Sequence, residues 1–144
     1  MNVGSILARK GREIATADAS ISLRAAARMM SERNIGSLVL VDGDGELAGI
    51  ISERDIVRAL ADAGEAAAAL PVSRFMTTDV CTCSPETLTG ELMQLMTERR
   101  FRHLPVVDGE GRMIGIVSIG DVVLQRMKEM AFEAEQMKQY IASG

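Results

Sequence analysis

The sequence predicts an α/β protein: two pseudo-symmetric β-α-β-β-α units packed into one module, with the last helix extended beyond the repeat. Three observations carry this reading. Shifted by 66 residues, positions 14–61 fall on positions 80–127 without a gap. The agreement is densest where an apolar strand, a glycine-rich turn and a second strand follow one another. There Leu38-Val-Leu-Val-Asp-Gly-Asp-Gly-Glu-Leu-Ala-Gly-Ile-Ile-Ser-Glu-Arg-Asp55 lies over Leu104-Pro-Val-Val-Asp-Gly-Glu-Gly-Arg-Met-Ile-Gly-Ile-Val-Ser-Ile-Gly-Asp121. Finally, each half is near the roughly 60 residues at which a lone core becomes marginal, so copies that bury their apolar faces together are favoured over independent beads.

The elements follow in order. Residues 13–17, Glu-Ile-Ala-Thr-Ala, read as a short strand. Residues 22–33 read as a helix, because Leu23, Ala26, Ala27 and Met30 recur at spacings of three and four. Residues 37–41 form a β-branched apolar run of strand length, and Asp42-Gly-Asp-Gly45 is a hairpin turn leading to a partner strand over 46–51. Ser52 caps a second helix that reaches about Ala63 and stops near Gly64. Residues 65–71 link the halves, and 72–76 echo 3–7 with a slip of three residues. The second half repeats the order: strand 79–83, helix 88–99, a hairpin of 103–107 with 112–117 across Asp108-Gly-Glu-Gly111, and a helix opening at Ser118. The halves are bounded as 1–66 and 67–127, with 128–144 prolonging the last helix. Met29, Met30, Leu95 and Met96 fall at core helix positions.

In that last helix Val123, Met127, Met130, Ala134, Met137 and Ile141 alternate spacings of four and three, with Lys128, Glu129, Glu133, Glu135 and Lys138 on other faces. Two readings are open. The stripe packs on this chain's own core, or it forms a seam with another subunit, since left bare it would be an apolar patch.

Composition narrows the function. The chain is 47% hydrophobic and 25% charged, which is globular, and its net charge of −4 argues against nucleic acid or an anionic membrane as partner. No apolar run approaches the roughly 18–20 residues of a membrane span, and residues 1–10 lack the apolar region of a signal peptide, so a soluble cytoplasmic protein is expected. Cys81 and Cys83 are two apart, which puts them on one face of a strand as buried or half-buried thiols. A lone Cys-x-Cys specifies neither zinc nor a disulfide framework.

The chemistry sits where the last strand of each unit meets its last helix. Gly-Ile-Ile-Ser-Glu-Arg-Asp (49–55) and Gly-Ile-Val-Ser-Ile-Gly-Asp (115–121) share Ser-x-x-Asp. As structure this is a capping box, with Ser52 or Ser118 as N-cap and Asp55 or Asp121 three residues on. As chemistry it is an anion-friendly helix start beside an acceptor-only carboxylate, which suits a vicinal diol such as ribose, while the hydroxyl and free N–H groups suit a phosphate. Sugar plus phosphate is a nucleotide. The residues alone leave capping and nucleotide binding both open.

The paired β-α-β-β-α units, the Leu-Val-Leu-Val-Asp-Gly and Leu-Pro-Val-Val-Asp-Gly strands, and the repeated Gly-Ile-x-Ser-x-x-Asp resemble a tandem pair of cystathionine-β-synthase (CBS) domains, of the kind found as stand-alone bacterial proteins. The resemblance covers positions 3–127. Each motif is weak alone; their order, duplicated at constant spacing, is specific. The resemblance implies two clefts for adenosine-containing ligands (AMP, ADP, ATP, NAD or S-adenosylmethionine), one per repeat. It assigns the ribose to Asp55 and Asp121, and the serine role to Ser52 and Ser118. It assigns the adenine to Thr16–Asp18 with Ile35, Gly36, Ser37 and Leu38 in one cleft. In the other it assigns the adenine to Thr82, Cys83 and Ser84 with Phe101, Arg102, His103, Leu104 and Pro105.

The clefts are not equivalent. Arg54 has Gly120 as its counterpart, and Arg102 and His103 replace Gly36 and Ser37. These cations suit phosphate oxygens, although Arg54 also reads as a solvated helix residue and Arg99-Arg-Phe-Arg-His103 as an ordinary charge run. His103 lacks the companions of a metal or catalytic site. The expected function is therefore a regulatory, non-catalytic adenine-nucleotide sensor. It acts through ligand-dependent conformation or assembly, as a homodimer, on an unidentified regulated protein. The competing expectation is a ligand-independent dimerisation scaffold. An enzyme is disfavoured: there is no nucleophile–base pair, no Gly-x-x-x-x-Gly-Lys loop and no metal set.

Overall fold

The computed structural model describes residues 1–143. Its most regular feature is a pair of matched hairpins. Strands β2 (Ser37–Val41) and β3 (Leu47–Ser52) pair antiparallel with Ser37 opposite Ser52 and Leu40 opposite Gly49. Strands β4 (His103–Val107) and β5 (Met113–Ser118) pair with His103 opposite Ser118 and Val106 opposite Gly115. Both ladders shift register at the same place, between Leu40 and Val41 and between Val106 and Val107. The turn chemistry explains the agreement. The Asp42 carboxylate accepts from the N–H groups of Asp44 and Glu46, at 2.9 and 3.0 Å, and Asp108 accepts from Glu110 and Arg112, both at 2.9 Å. Gly45 and Gly111 take φ of 78° and 80°, where a side chain would be strained.

The chain forms two compact units, Ile14–Val80 and Met1–Glu13 with Cys81–Gly144. Spatial units and sequence halves are thus different divisions of the chain. Helix α1 (Val3–Lys10), capped by the Asn2 side chain, buries Val3, Ile6 and Leu7 against Cys83, Leu92, Leu104, Val106 and Val117. Its echo, a short 3-10 turn at Val72–Arg74, buries Val72 in the other core with Leu23, Ala26, Leu38, Leu40 and Ile51. The linker is not loose either, because Gly64–Ala69 is a 3-10 helix that buries Ala67 completely.

In the Ile14–Val80 unit, helix α2 (Leu23–Arg33) starts at Ser22, whose hydroxyl accepts from Ala25 N–H at 3.0 Å, and ends at Asn34 in the left-handed region. Helix α3 (Glu53–Ala63) follows β3 directly. In the other unit α4 (Thr89–Arg99) has Leu88 where α2 has Ser22, and so lacks a side-chain cap. Helix α5 runs from Ile119 to Ser143.

One expected strand is absent. Strand β1 (Thr16–Asp18) pairs parallel with β2, and the Val39 N–H donates to Ala15 O at 3.1 Å. The strand expected over 79–83 is reduced to a single bridge between Cys83 and Val106. The cause is Pro105, the counterpart of Val39, which has no N–H to give to Cys81. What remains is Cys83 N–H to Pro105 O at 3.0 Å and Val107 N–H to Cys83 O at 2.9 Å.

The extended stripe does not pack on its own core. Helix α5 buries Val122, Gln125 and Glu129, while Val123, Met127, Met130, Met137 and Ile141 are 42–70% exposed. Ala134 is exposed as well.

Gly49 and Gly115 sit where other chain segments approach closely. A Cβ on Gly49 would lie 2.7 Å from both Thr77 O and Met76 Sδ, whereas one on Gly115 would meet the Leu7 side chain at 2.6 Å. A side chain can turn aside more easily than a carbonyl held in a ladder, and Thr77 exchanges both backbone hydrogen bonds with Ile50. Gly49→Ala is therefore predicted to cost about 1–3 kcal/mol and Gly115→Ala less. Urea unfolding of the two variants checks the order.

Candidate functional site

Each unit carries one strand-to-helix junction with the predicted constellation. In the Ile14–Val80 unit the Asp55 carboxylate accepts from Ser52 N–H at 2.9 Å and from the Ser52 hydroxyl at 3.0 Å, while Asp55 N–H donates to Ser52 Oγ at 3.3 Å. The capping box is complete. Glu53 N–H donates to Gly36 O at 3.1 Å, which ties the helix start to the turn before β2. Buried Ser37 lies opposite Ser52 in the ladder. Arg54, in the first turn of α3, is exposed.

The other unit repeats this and then departs from it. The Asp121 carboxylate accepts from Ser118 N–H at 2.9 Å, and Asp121 N–H donates to Ser118 Oγ at 3.2 Å. Ile119 N–H donates to Arg102 O at 2.8 Å, and His103 lies opposite Ser118. On the same Asp121 oxygen, Oδ2, the second bond comes from the Lys10 ammonium at 2.7 Å. Lys10 also donates to Ile116 O at 2.9 Å, and Arg9 reaches Asp121 O at 3.5 Å. Burial works to raise the Asp121 pKa, but the Lys10 hydrogen bond and charge, with the Ser118 N–H and hydroxyl, outweigh it and hold the carboxyl below its usual value. No ion pair reaches Asp55 among the described residues.

The remaining candidates divide by burial. Thr16, Asp18, Thr82, Arg102 and Gly120 are exposed, and Ile35 and Gly36 half-buried. The Asp18 carboxylate accepts from Ser20 N–H at 2.8 Å, and its bonds with Ser20 lower its pKa. Leu38, Cys83 and Leu104 are buried in the cores, and Pro105 is buried as well. Burial, with the neighbouring Cys81, pushes the Cys83 thiol up to about 12, which leaves it inert. Cys81 is half-buried.

Lys10 is the participant that sequence reasoning missed. Its place depends on α1 packing with the second half of the chain, and the 66-residue shift starts only after it. The residue that echoes it, with the slip of three, is Asp79, which gives no hint of a cation.

Two surface cavities are present, the smaller one bordering the first junction at Ile35 and Glu53. One, about 480 Å³, is lined by Leu88, Thr89, Arg126, Glu129 and Phe132 among others; the second, about 370 Å³, by Met30, Asn34, Ile35, Glu53 and Val57 among others. Neither is lined by Ser52, Asp55, Ser118 or Asp121. The polar groups of the larger cavity serve one another. Burial works to raise the Glu129 pKa, but Arg126 at 2.7 Å, the Thr89 hydroxyl at 3.1 Å and the N-terminal ammonium at 3.9 Å outweigh it and hold it low.

Two matched hairpins, each feeding a capped helix through Ser-x-x-Asp, are the pattern of one repeat written twice. The sequence profile of the CBS domain matches residues 3–62 and again 72–128. The chain belongs to the CBS-domain family. The CBS pair is similar in structure to the CBS-domain containing protein ATU1752 from Agrobacterium tumefaciens, with a TM-score of 0.85 and 43% identity over 87% of this chain and 92% of that one. It is similar also to the CBS pair of protein MJ0100, solved in complex with 5′-methylthioadenosine and S-adenosyl-L-methionine, with a TM-score of 0.78 and 29% identity over 90% of this chain and 98% of that one. Among curated proteins, the mitochondrial CBS domain-containing protein CBSX3 of Arabidopsis thaliana is 42% identical over 123 residues. That match takes in 83% of this chain and 59% of the plant protein, so the chain spans about three fifths of that relative's length. Among the described residues no helix is long and apolar enough to cross a membrane.

The lowered Asp121 pKa has a consequence with a definite sign. A carboxyl that titrates lower in the folded protein contributes stability above its unfolded value, and that stability is lost as the pH falls through the folded value. Asp121→Asn should therefore lower the Tm at pH 7, and the gap from wild type should close as the pH drops below about 4. Melting curves from pH 3 to 7 test this; a gap that does not change with pH would contradict it.

Proposed function

We propose that this CBS pair is a non-catalytic regulatory module that binds an adenosine-containing ligand at its two Ser-x-x-Asp junctions. AMP, ADP, ATP and NAD are the ligands of choice, and occupancy alters the assembly or shape of a homodimer and so a regulated protein. The observation that carries the reading is the duplication of one arrangement. In each unit a carboxylate stands at a helix start, tied through the helix's first N–H to the turn that opens the neighbouring strand. A carboxylate accepts both protons of a ribose diol, and the helix start favours a phosphate. Arg54 and Arg102, exposed and outside any ion pair among the described residues, supply further positive charge. The complex of MJ0100 with two adenosine compounds supports the ligand class.

Transmission requires that the ligand bind one arrangement better than another, and the shift cannot exceed that difference in affinity. Helix α5 is the natural output, because it begins at the Asp121 junction and carries the exposed stripe of Val123, Met127, Met130, Met137 and Ile141. A second copy of the chain is the partner proposed for that stripe. The scaffold reading keeps one observation in its favour: both junctions are satisfied as helix caps by their own serine and aspartate.

Calorimetric titration of nucleotide-stripped protein with AMP, ATP, NAD and S-adenosylmethionine separates the two. Saturable binding that loses one site in Asp55→Asn and the other in Asp121→Asn is expected. Absence of heat with every ligand, matched by no thermal shift, would leave the scaffold. Removing residues 131–144 should change the sedimentation behaviour while leaving nucleotide affinity within about twofold; an unchanged assembly state would exclude α5 as the seam.

A further inference from the structure

At the carboxylates themselves the two junctions differ in one charge, and that charge comes from α1, ahead of the segment that the 66-residue shift aligns. At the first, Asp55 Oδ2 takes both bonds from its own cap residue, Ser52. At the second, Asp121 Oδ2 takes one bond from Ser118 and the other from Lys10. The strand carbonyls two residues before each cap serine show the same exchange. Ile50 O accepts from Thr77 N–H at 2.8 Å, whereas Ile116 O accepts from the Lys10 ammonium at 2.9 Å. A charged side chain has thus replaced a neutral backbone donor. Lys10 is held by two acceptors, with side-chain exposures of 28% for Lys10 and 20% for Asp121, so its ammonium is fixed at the junction rather than free in solvent.

We propose that Lys10 is a specificity-determining residue of the Asp121 site, giving it a preference for adenosine ligands that carry negative charge on the 5′ side. This rests on the nucleotide-binding reading above. A bare carboxylate repels an anionic ligand while accepting its ribose hydroxyls. The pair with Lys10 cancels that repulsion and leaves an ammonium within a few ångströms of any group seated on Asp121. Among the described residues no such cation reaches the Asp55 carboxylate, and that site discriminates less.

The probes are AMP and neutral adenosine, titrated calorimetrically into Asp55→Asn protein, in which only the Asp121 site remains, with and without Lys10→Met or Lys10→Arg. Lys10→Met should weaken AMP about tenfold, the order expected for one charge contact in a partly solvated site, and adenosine less than twofold. Lys10→Arg should keep most of the AMP preference, and melting curves confirm that the variants fold. Equal weakening of both ligands would make Lys10 a structural clamp. Tightening of both would make it a competitor for the diol, and either result overturns the proposal. If wild-type protein binds neither probe, the nucleotide reading itself fails. If wild type binds but Asp55→Asn protein does not, the Asp121 junction is no site and this inference alone falls.

Discussion

Each half of this protein turns on the junction where a buried strand becomes a helix. Going from β3 to α3, or from β5 to α5, the backbone must leave a ladder and start a helix within one residue. That leaves the helix's first N–H groups without intrahelical partners. The Ser-x-x-Asp box meets the need locally, and the bonds from Glu53 to Gly36 O and from Ile119 to Arg102 O fasten the helix to the neighbouring strand's entrance. The bonds that stabilise the turn also aim a carboxylate and a hydroxyl at one spot. The proposed ligand binding would therefore be a second use of the capping geometry.

The symmetry of the repeat is broken by particular residues, each with a physical effect. Pro105 removes a donor and reduces an expected strand to one bridge. Leu88 leaves α4 without the side-chain cap that Ser22 gives α2. Lys10 places a cation on one carboxylate and not the other. Duplication supplies two junctions, and these substitutions let them differ in charge and capping without altering the matched hairpins.

Much of this was legible in the sequence because it is local. The Asp-Gly turns, the β-branched runs and the Ser-x-x-Asp caps each act within a few residues, and all appear where expected, with helix α2 and strand β2 matching to within a residue. The misses are non-local. Residues 79–83 have the composition of a strand, and only the missing N–H of Pro105 on the partner strand undoes it. For the α5 stripe the sequence leaves self-packing and a subunit seam both open, and the exposure of its residues removes the first. Lys10 was invisible because α1 packs with residues of the chain's second half, far from it in sequence. Of the junctions, the serine and aspartate caps were readable; the Lys10 pairing that distinguishes the two was not.

The most direct test of the central claim is a titration of isotope-labelled protein with AMP, followed through the backbone amide resonances. The account predicts saturable shifts concentrated at Glu53, Arg54 and Asp55 and at Ile119, Gly120 and Asp121, with weaker changes along α5. Shifts gathered instead around the cavity of Leu88, Thr89 and Phe132, or no shifts at all, would contradict it and leave the two junctions as helix caps.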